Sequence, residues 1–152
     1  TAITADHDGR RQPGARRFAP ALGFVLAGRT RTYFAGDTAA FPGLAEQVGG
    51  CDIALLPVGG WGPGLGPGHL TPATAAGLLP ALRARHAIPI HYGTFWPIGA
   101  DRIRPQEFLP PGSAFRDHAA VLAPGCEVHV LAPGQTVDLP YALTPTFAKR
   151  AS

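Results

Sequence analysis

Glycine and proline set the limits on what this chain can build. With 20 glycines and 17 prolines among 152 residues, apolar stretches are interrupted before they grow long. Glycine weakens helices and strands through backbone freedom, and proline lacks the N–H that either structure needs. The breakers lie between apolar runs, and 45% of the sequence is hydrophobic. The chain therefore reads as a loop-rich globular unit of short elements, not as a disordered one. No run approaches the roughly 18 apolar residues of a membrane-spanning helix. No charged stretch leads into an apolar one in the manner of a secretory leader. Methionine is absent and the first residue is Thr1, which allows that residue 1 is not the start of the protein.

The breakers divide the chain into a sequence of expected elements. Residues 1–5 suit a short strand ending in the turn-rich Asp6-His7-Asp8-Gly9. Residues 21–27 and 30–35 are apolar runs separated by Gly28-Arg29, the pattern of a hairpin. A short helix is expected over 42–48, with Gly49-Gly50 supplying its left-handed exit. Residues 51–58 read as a buried strand, and the Gly/Pro-rich 59–68 as a loop. Thr71 and Pro72 form an N-cap and first-turn pair for a helix that places Ala75, Leu78, Leu79 and Leu82 on one face. Residues 87–90 read as a strand in which Pro89 favours an edge or a strand end. A helix over 113–122, strands over 127–131 and 134–139, and a loosely held tail beyond Tyr141 complete the expectation. The order is mixed α/β in one unit, residues 1–152, without an internal repeat.

The net charge of +3 comes mostly from arginine, and Lys149 is the one lysine. The basic group Arg10, Arg11, Arg16 and Arg17 sits in a single Gly/Pro-containing segment with only Phe18 beside it. A nucleic-acid surface needs more such groups, interleaved with stacking aromatics, so nucleic acid is not the expected partner. Cys51 and Cys126 lie far apart and form no C-x-x-C. Cys51 is expected to pack as a small hydrophobe in a reduced, cytoplasmic setting.

Ligand-type side chains recur just after apolar runs: His7, Asp37 and His91. Strand ends meeting loops are where a rigid scaffold presents functional groups. Two imidazoles and a carboxylate suit zinc, or iron and manganese. Singly, each has a plainer reading, as a turn residue, a helix cap or a hydrogen-bonded strand-end histidine. His86, His118 and His129 read as surface or strand residues with structural roles. The glycines at 62, 64, 66 and 68 are not followed by Gly-Lys-Ser/Thr, so they form no phosphate-binding P-loop. Gly-x-Ser-x-Gly is also absent, and only Ser113 and Ser152 are available for a serine triad.

Taken in order, five segments carry a resemblance: Ala5-Asp6-His7 with Arg11; Ala35-Gly36-Asp37-Thr38; Asp52 with Leu55-Leu56-Pro57-Val58-Gly59; Gly68-His69-Leu70-Thr71-Pro72 with Ala75; and Pro89-Ile90-His91-Tyr92-Gly93-Thr94-Phe95. Together they resemble the metallo-β-lactamase superfamily over roughly residues 1–139. The likeness is to the branch holding the L-ascorbate-phosphate lactonase and N-acyl-phosphatidylethanolamine phospholipase D types. The resemblance implies that His7 and His91 each bind one metal and that Asp37 bridges two, zinc or else manganese or iron. A metal-bridged hydroxide would then attack an ester, lactone or phosphodiester. It also implies that His69 transfers a proton or steadies the oxyanion, alongside Asp37 in the catalytic set. Trp61 in the Gly/Pro loop and Arg11 would contact the small-molecule substrate. The family's H-x-H-x-D-H motif is absent, because no two histidines lie two apart. The chain therefore resembles the C-terminal half of a four-layer αββα sandwich. Its three ligands form an incomplete site for two metals, its inner sheet face would meet the missing N-terminal half, and the alternative is an inactive half-domain with a binding or structural role.

Overall fold

The computed structural model describes residues 1–9, 19–60, 65–66, 68–94, 97–105, 108 and 110–139. Six strands form one sheet among them: β1 (Ala2–Thr4), β2 (Leu22–Ala27), β3 (Arg31–Phe34), β4 (Ile53–Pro57), β5 (His86–Ile90) and β6 (Glu127–Val128), side by side in chain order. The first two pairings are antiparallel and the other three parallel. As a result β1, β3, β4 and β5 run the same way, and the loops leaving them gather at one sheet edge.

Pairing register fixes the faces. Val25 lies opposite Tyr33, Tyr33 opposite Ala54, and Ala54 opposite Ala87, and all four are buried. Helices α1 (Leu44–Val48), α2 (Pro72–Leu82) and α4 (Pro111–Leu122) cover this face, with Leu44, Val48, Leu79, Leu82, Phe115 and Ala119 in the same apolar cluster. The alternate residues point the other way. On that side Leu22, Phe24, Leu26 and Phe34 stay between 39% and 61% exposed. The described fold is thus a sheet with helices packed on one face and an apolar second face left open. Cys51 is buried beneath the helices, and burial pushes its thiol up to about 12, so it packs as an apolar group.

Several elements follow the sequence closely. The β2–β3 hairpin closes at Gly28, whose N–H reaches the Thr30 carbonyl at 3.0 Å. Helix α1 leaves through Gly49 in the left-handed conformation. Helix α2 starts at Pro72 under a reciprocal cap, in which the Thr71 hydroxyl accepts from the Thr74 N–H and the Thr74 hydroxyl from the Thr71 N–H. Pro89 sits where it does no damage. Strand β6 pairs only with His86 and Ala87, so beyond them β5 has an open side, and the N–H that Pro89 lacks would face it.

Three expectations are corrected. Strand β6 is confined to Glu127–Val128 rather than 127–131, and residues 134–139 form no strand. Further on the chain turns, with the Gln135 N–H bonded to the Ala132 carbonyl and Gly134 at positive φ. Helix α4 begins at Pro111, two residues earlier than expected, because proline suits the first helical turn. A one-turn helix, α3 (Ala100–Ile103), was not anticipated; it buries no residue and so leaves no apolar periodicity to read. Arg11, Trp61 and the tail beyond Tyr141 lie outside the described residues. None of the helices among the described residues is long and apolar enough to cross a membrane.

Candidate metal centre

The common direction of β1, β3, β4 and β5 brings their exits together, and each exit delivers a polar group. His7 follows β1, Asp37 follows β3, and His91 follows β5, while His69 lies between β4 and α2. Two hydrogen bonds tie the first two loops to each other. The Asp6 N–H meets the buried Thr38 hydroxyl at 3.0 Å, and the Ala39 N–H meets the Asp6 carbonyl at 2.8 Å. His7 and Asp37 become neighbours in this way although they lie 30 positions apart in the sequence.

Asp37 is the centre of the group. Its Oδ1 lies 2.9 Å from His91 Nε2 and its Oδ2 3.9 Å from His7 Nε2. The His69 ring packs edge-on to His7 with centroids 4.8 Å apart, and lies 6.5 Å from His91. The far side of each ring is anchored to the backbone. His7 Nδ1 donates to the Gly68 carbonyl at 3.0 Å, His91 Nδ1 to the Gly59 carbonyl at 3.2 Å, and His69 Nδ1 to the Gly66 carbonyl at 3.2 Å. A carbonyl only accepts, so in each ring Nδ1 carries a proton and Nε2 is the nitrogen turned away from the anchor; in His91 it donates to Asp37 Oδ1.

The backbone is bent to achieve this. His91 has φ +62, and with Arg83 it makes up the described non-glycine residues of positive φ. Such a conformation costs an ordinary side chain about 1–3 kcal/mol and collects at functional sites. Gly68 has φ +84, and a Cβ on it would lie 3.3 Å from His7 Nδ1. A Cβ on Gly59 would come within 2.9 Å of the Tyr92 side chain. Both glycines let a loop carbonyl approach the ring it holds.

Charge follows geometry. The hydrogen bond from His91 holds the Asp37 carboxyl below its ordinary 3.8 against the opposing effect of partial burial, with the three imidazoles adding their attraction. The same bond, outweighing burial, raises His91 above its ordinary 6.5. Two oxygens of one carboxylate facing two imidazole nitrogens form a nitrogen–oxygen donor set that suits a divalent transition metal.

The structure brings together all four described candidates from the sequence. What the sequence left unread is the part of glycine: Gly59, Gly66 and Gly68 supply the carbonyls that orient the rings, and glycine richness is the only trace of it. A second group was also overlooked. His86 and His129, expected as surface or strand residues, meet Glu127 at the opposite end of β5. There burial, followed by the neighbouring His129, lowers the pKa of His86.

Comparison with known proteins bears on the family and the fold. A family described as the beta-lactamase superfamily domain matches residues 1–92. A UPF0173 metal-dependent hydrolase of Thermus thermophilus is 38% identical over 119 residues, covering 76% of this chain and 44% of the relative. Another, from Pyrococcus furiosus, is 36% identical over 112 residues, covering 70% of this chain and 40% of the relative. The chain spans less than half the length of these curated relatives. Among solved structures, Igni18, a metallo hydrolase from the archaeon Ignicoccus hospitalis, superposes with a TM-score of 0.64 over 93% of this chain and 52% of that one, at 23% identity. The metallo-beta-lactamase fold protein YhfI from Bacillus subtilis gives 0.59 over 89% of this chain and 47% of that one, at 12% identity. At those identities the likeness is one of fold.

Proposed function

The chain belongs to the β-lactamase superfamily, and from that membership we propose that it carries part of the active centre of a metal-dependent hydrolase. His7, Asp37 and His91 would hold the metal, with Asp37 positioned between the two imidazoles. The observation that carries this reading is the anchoring of both rings through Nδ1, which turns each Nε2 toward one carboxylate. When bound, divalent cations in such a site offset the charge of a forming oxyanion and make a water acidic enough to ionise near neutral pH. Zinc fits the donor set best, with manganese or iron as alternatives.

The chain's own residues have distinct tasks in this reading. Asp37 orients His91 through Oδ1. His69, with its proton fixed on Nδ1, takes up or returns a proton at Nε2 beside the reacting group. Trp61 and Arg11 contact the substrate, a small ester, lactone or phosphodiester of the lactonase or phospholipase D-like kind. The two thiols, both unpaired with each other, suit a cytoplasmic location.

The open apolar face supports a further element of the reading. Leu22, Phe24, Leu26 and Phe34 form a surface of the kind that sheets bury against a second layer. The curated relatives are more than twice as long as the matched region. We propose that a second sheet bearing H-x-H-x-D-H covers this face and completes a two-metal site. Without it, the chain would be a half-domain with a binding role.

Metal content and hydrolysis of a lactone, ester and phosphodiester panel with added zinc or manganese test the proposal. Turnover that disappears in Asp37→Ala supports it. Turnover unaffected by that change overturns it, and metal binding without turnover favours the half-domain reading.

A further inference from the structure

The parallel register of β5 and β6 sets His86 directly opposite Glu127, and His129 follows two residues later on the same side of its strand. The His129 N–H bonds to the Ala87 carbonyl at 2.9 Å, which fixes that position beside β5 although the paired strand has ended. His86 Nδ1 lies 3.1 Å from His129 Nε2 and 3.6 Å from Glu127 Oε2. His129 Nδ1 lies 4.0 Å from Glu127 Oε1. One ligand atom from each residue falls within 4.8 Å of the others. In a tetrahedral site with bonds of about 2.0–2.1 Å, ligand atoms stand about 3.3 Å apart. The histidine pair and the His86–Glu127 pair are already at that spacing. Both histidine side chains are 10% exposed and held in place, whereas that of Glu127 is 69% exposed and free to rotate inward.

We propose that His86, Glu127 and His129 form a second, independent divalent-metal site that staples the two-residue edge strand β6 to β5. The two imidazoles now share one hydrogen bond, in which only one nitrogen donates; a cation between them would give both lone pairs a partner. Two nitrogens and one carboxylate oxygen select a late first-row ion such as zinc, cobalt, nickel or copper rather than magnesium or calcium. Three protein ligands leave a position for water, and five residues of extended strand separate His86 from His91 by about 16 Å. The two centres therefore share no ligand.

Cobalt(II) titration of the whole chain, followed by its visible absorption, tests this together with hydrogen exchange. Asp37→Asn should remove the equivalent bound at the His91 end and leave a second one in place. Adding His129→Gln should remove that second equivalent, and adding Glu127→Ala should weaken it by about tenfold or more. In the unsubstituted chain, cobalt or zinc should slow exchange of the Glu127 and His129 amides. Glu127 is exposed, so its replacement leaves the fold intact and decides the matter should His129→Gln fail to fold. Cobalt binding in the Asp37→Asn background that Glu127→Ala leaves unchanged, with amide exchange unmoved by metal, overturns the proposal.

Discussion

His91 and His86 stand at opposite ends of β5, and each meets a second imidazole and a carboxylate. At the His91 end the partners arrive on separate loops after β1 and β3, and every ring is tied to a backbone carbonyl. At the His86 end the partners come from the neighbouring edge strand, and the rings are tied to each other. The first arrangement depends on the whole sheet being in register and on glycines that let carbonyls approach. The second depends only on one strand pairing. Orientation imposed from outside the ligand set marks a centre built for chemistry; ligands bonded to one another mark a local clasp.

The largest expected difference between the ends follows from Asp37. Asp37→Ala removes the one carboxylate that both His7 and His91 face, so zinc affinity at this end should fall by on the order of 100-fold or more. Isothermal titration with zinc measures it. An unchanged affinity would break the comparison, because Asp37 would then not be the shared ligand.

Next in size is Gly68→Ala, which leaves every ligand in place. The added Cβ would press on His7, and the positive φ would strain an alanine by about 1–2 kcal/mol. Zinc affinity should drop by about 10- to 100-fold, as expected when the group orienting a ligand is lost. Calorimetry on this variant beside Gly66→Ala, where a Cβ meets nothing, separates loss of the His7 anchor from a general loop effect.

The two ends were unequally legible in the sequence. His7, Asp37 and His91 each follow an apolar run, and that pattern holds because the strands before them run the same way. The strand ends therefore could be read one at a time, without knowing the pairing. His86, Glu127 and His129 become a group only once β6 is known to start at Glu127 and to pair in parallel with His86. Nothing in the local sequence fixes that register, and the strand expected over 127–131 was too long. The stretch 134–139, expected as a further strand, forms none; β6 ends at Val128 and offers only a two-residue edge. Helix α2, by contrast, carried its own cap, first-turn proline and apolar face, and formed where the sequence placed it.

The ends should also respond oppositely to acid when metal is removed by chelation. His91 is raised by its bond to Asp37, so its contribution to stability is complete below its ordinary 6.5 and is lost as pH rises through the raised value. Asp37 is lowered, so its contribution is complete above 3.8 and is lost as pH falls through the lowered value. The pair therefore stabilises most between pH 3.8 and 6.5. His86 is lowered by burial, so the unfolded chain binds its proton more readily and stability falls as pH drops below 6.5. Asp37→Asn should remove the first effect and expose the second. The Tm gap between this variant and the unsubstituted chain should be widest inside that window and close above it. A gap independent of pH would mean that Asp37 and His91 are not coupled.

The smallest effect is expected at the carboxylate of the other end. Glu127 is exposed, its nearest imidazole nitrogen is 3.6 Å away, and solvent screens that attraction. In chelator, Glu127→Gln should change stability by no more than about 0.5 kcal/mol, the range of ordinary surface substitutions. Urea denaturation at about pH 7 measures this. The same change made with zinc present should matter more, because the carboxylate would then hold a cation rather than water. Equal effects with and without zinc would assign Glu127 to the solvated surface and leave His91 as the metal-binding end of β5.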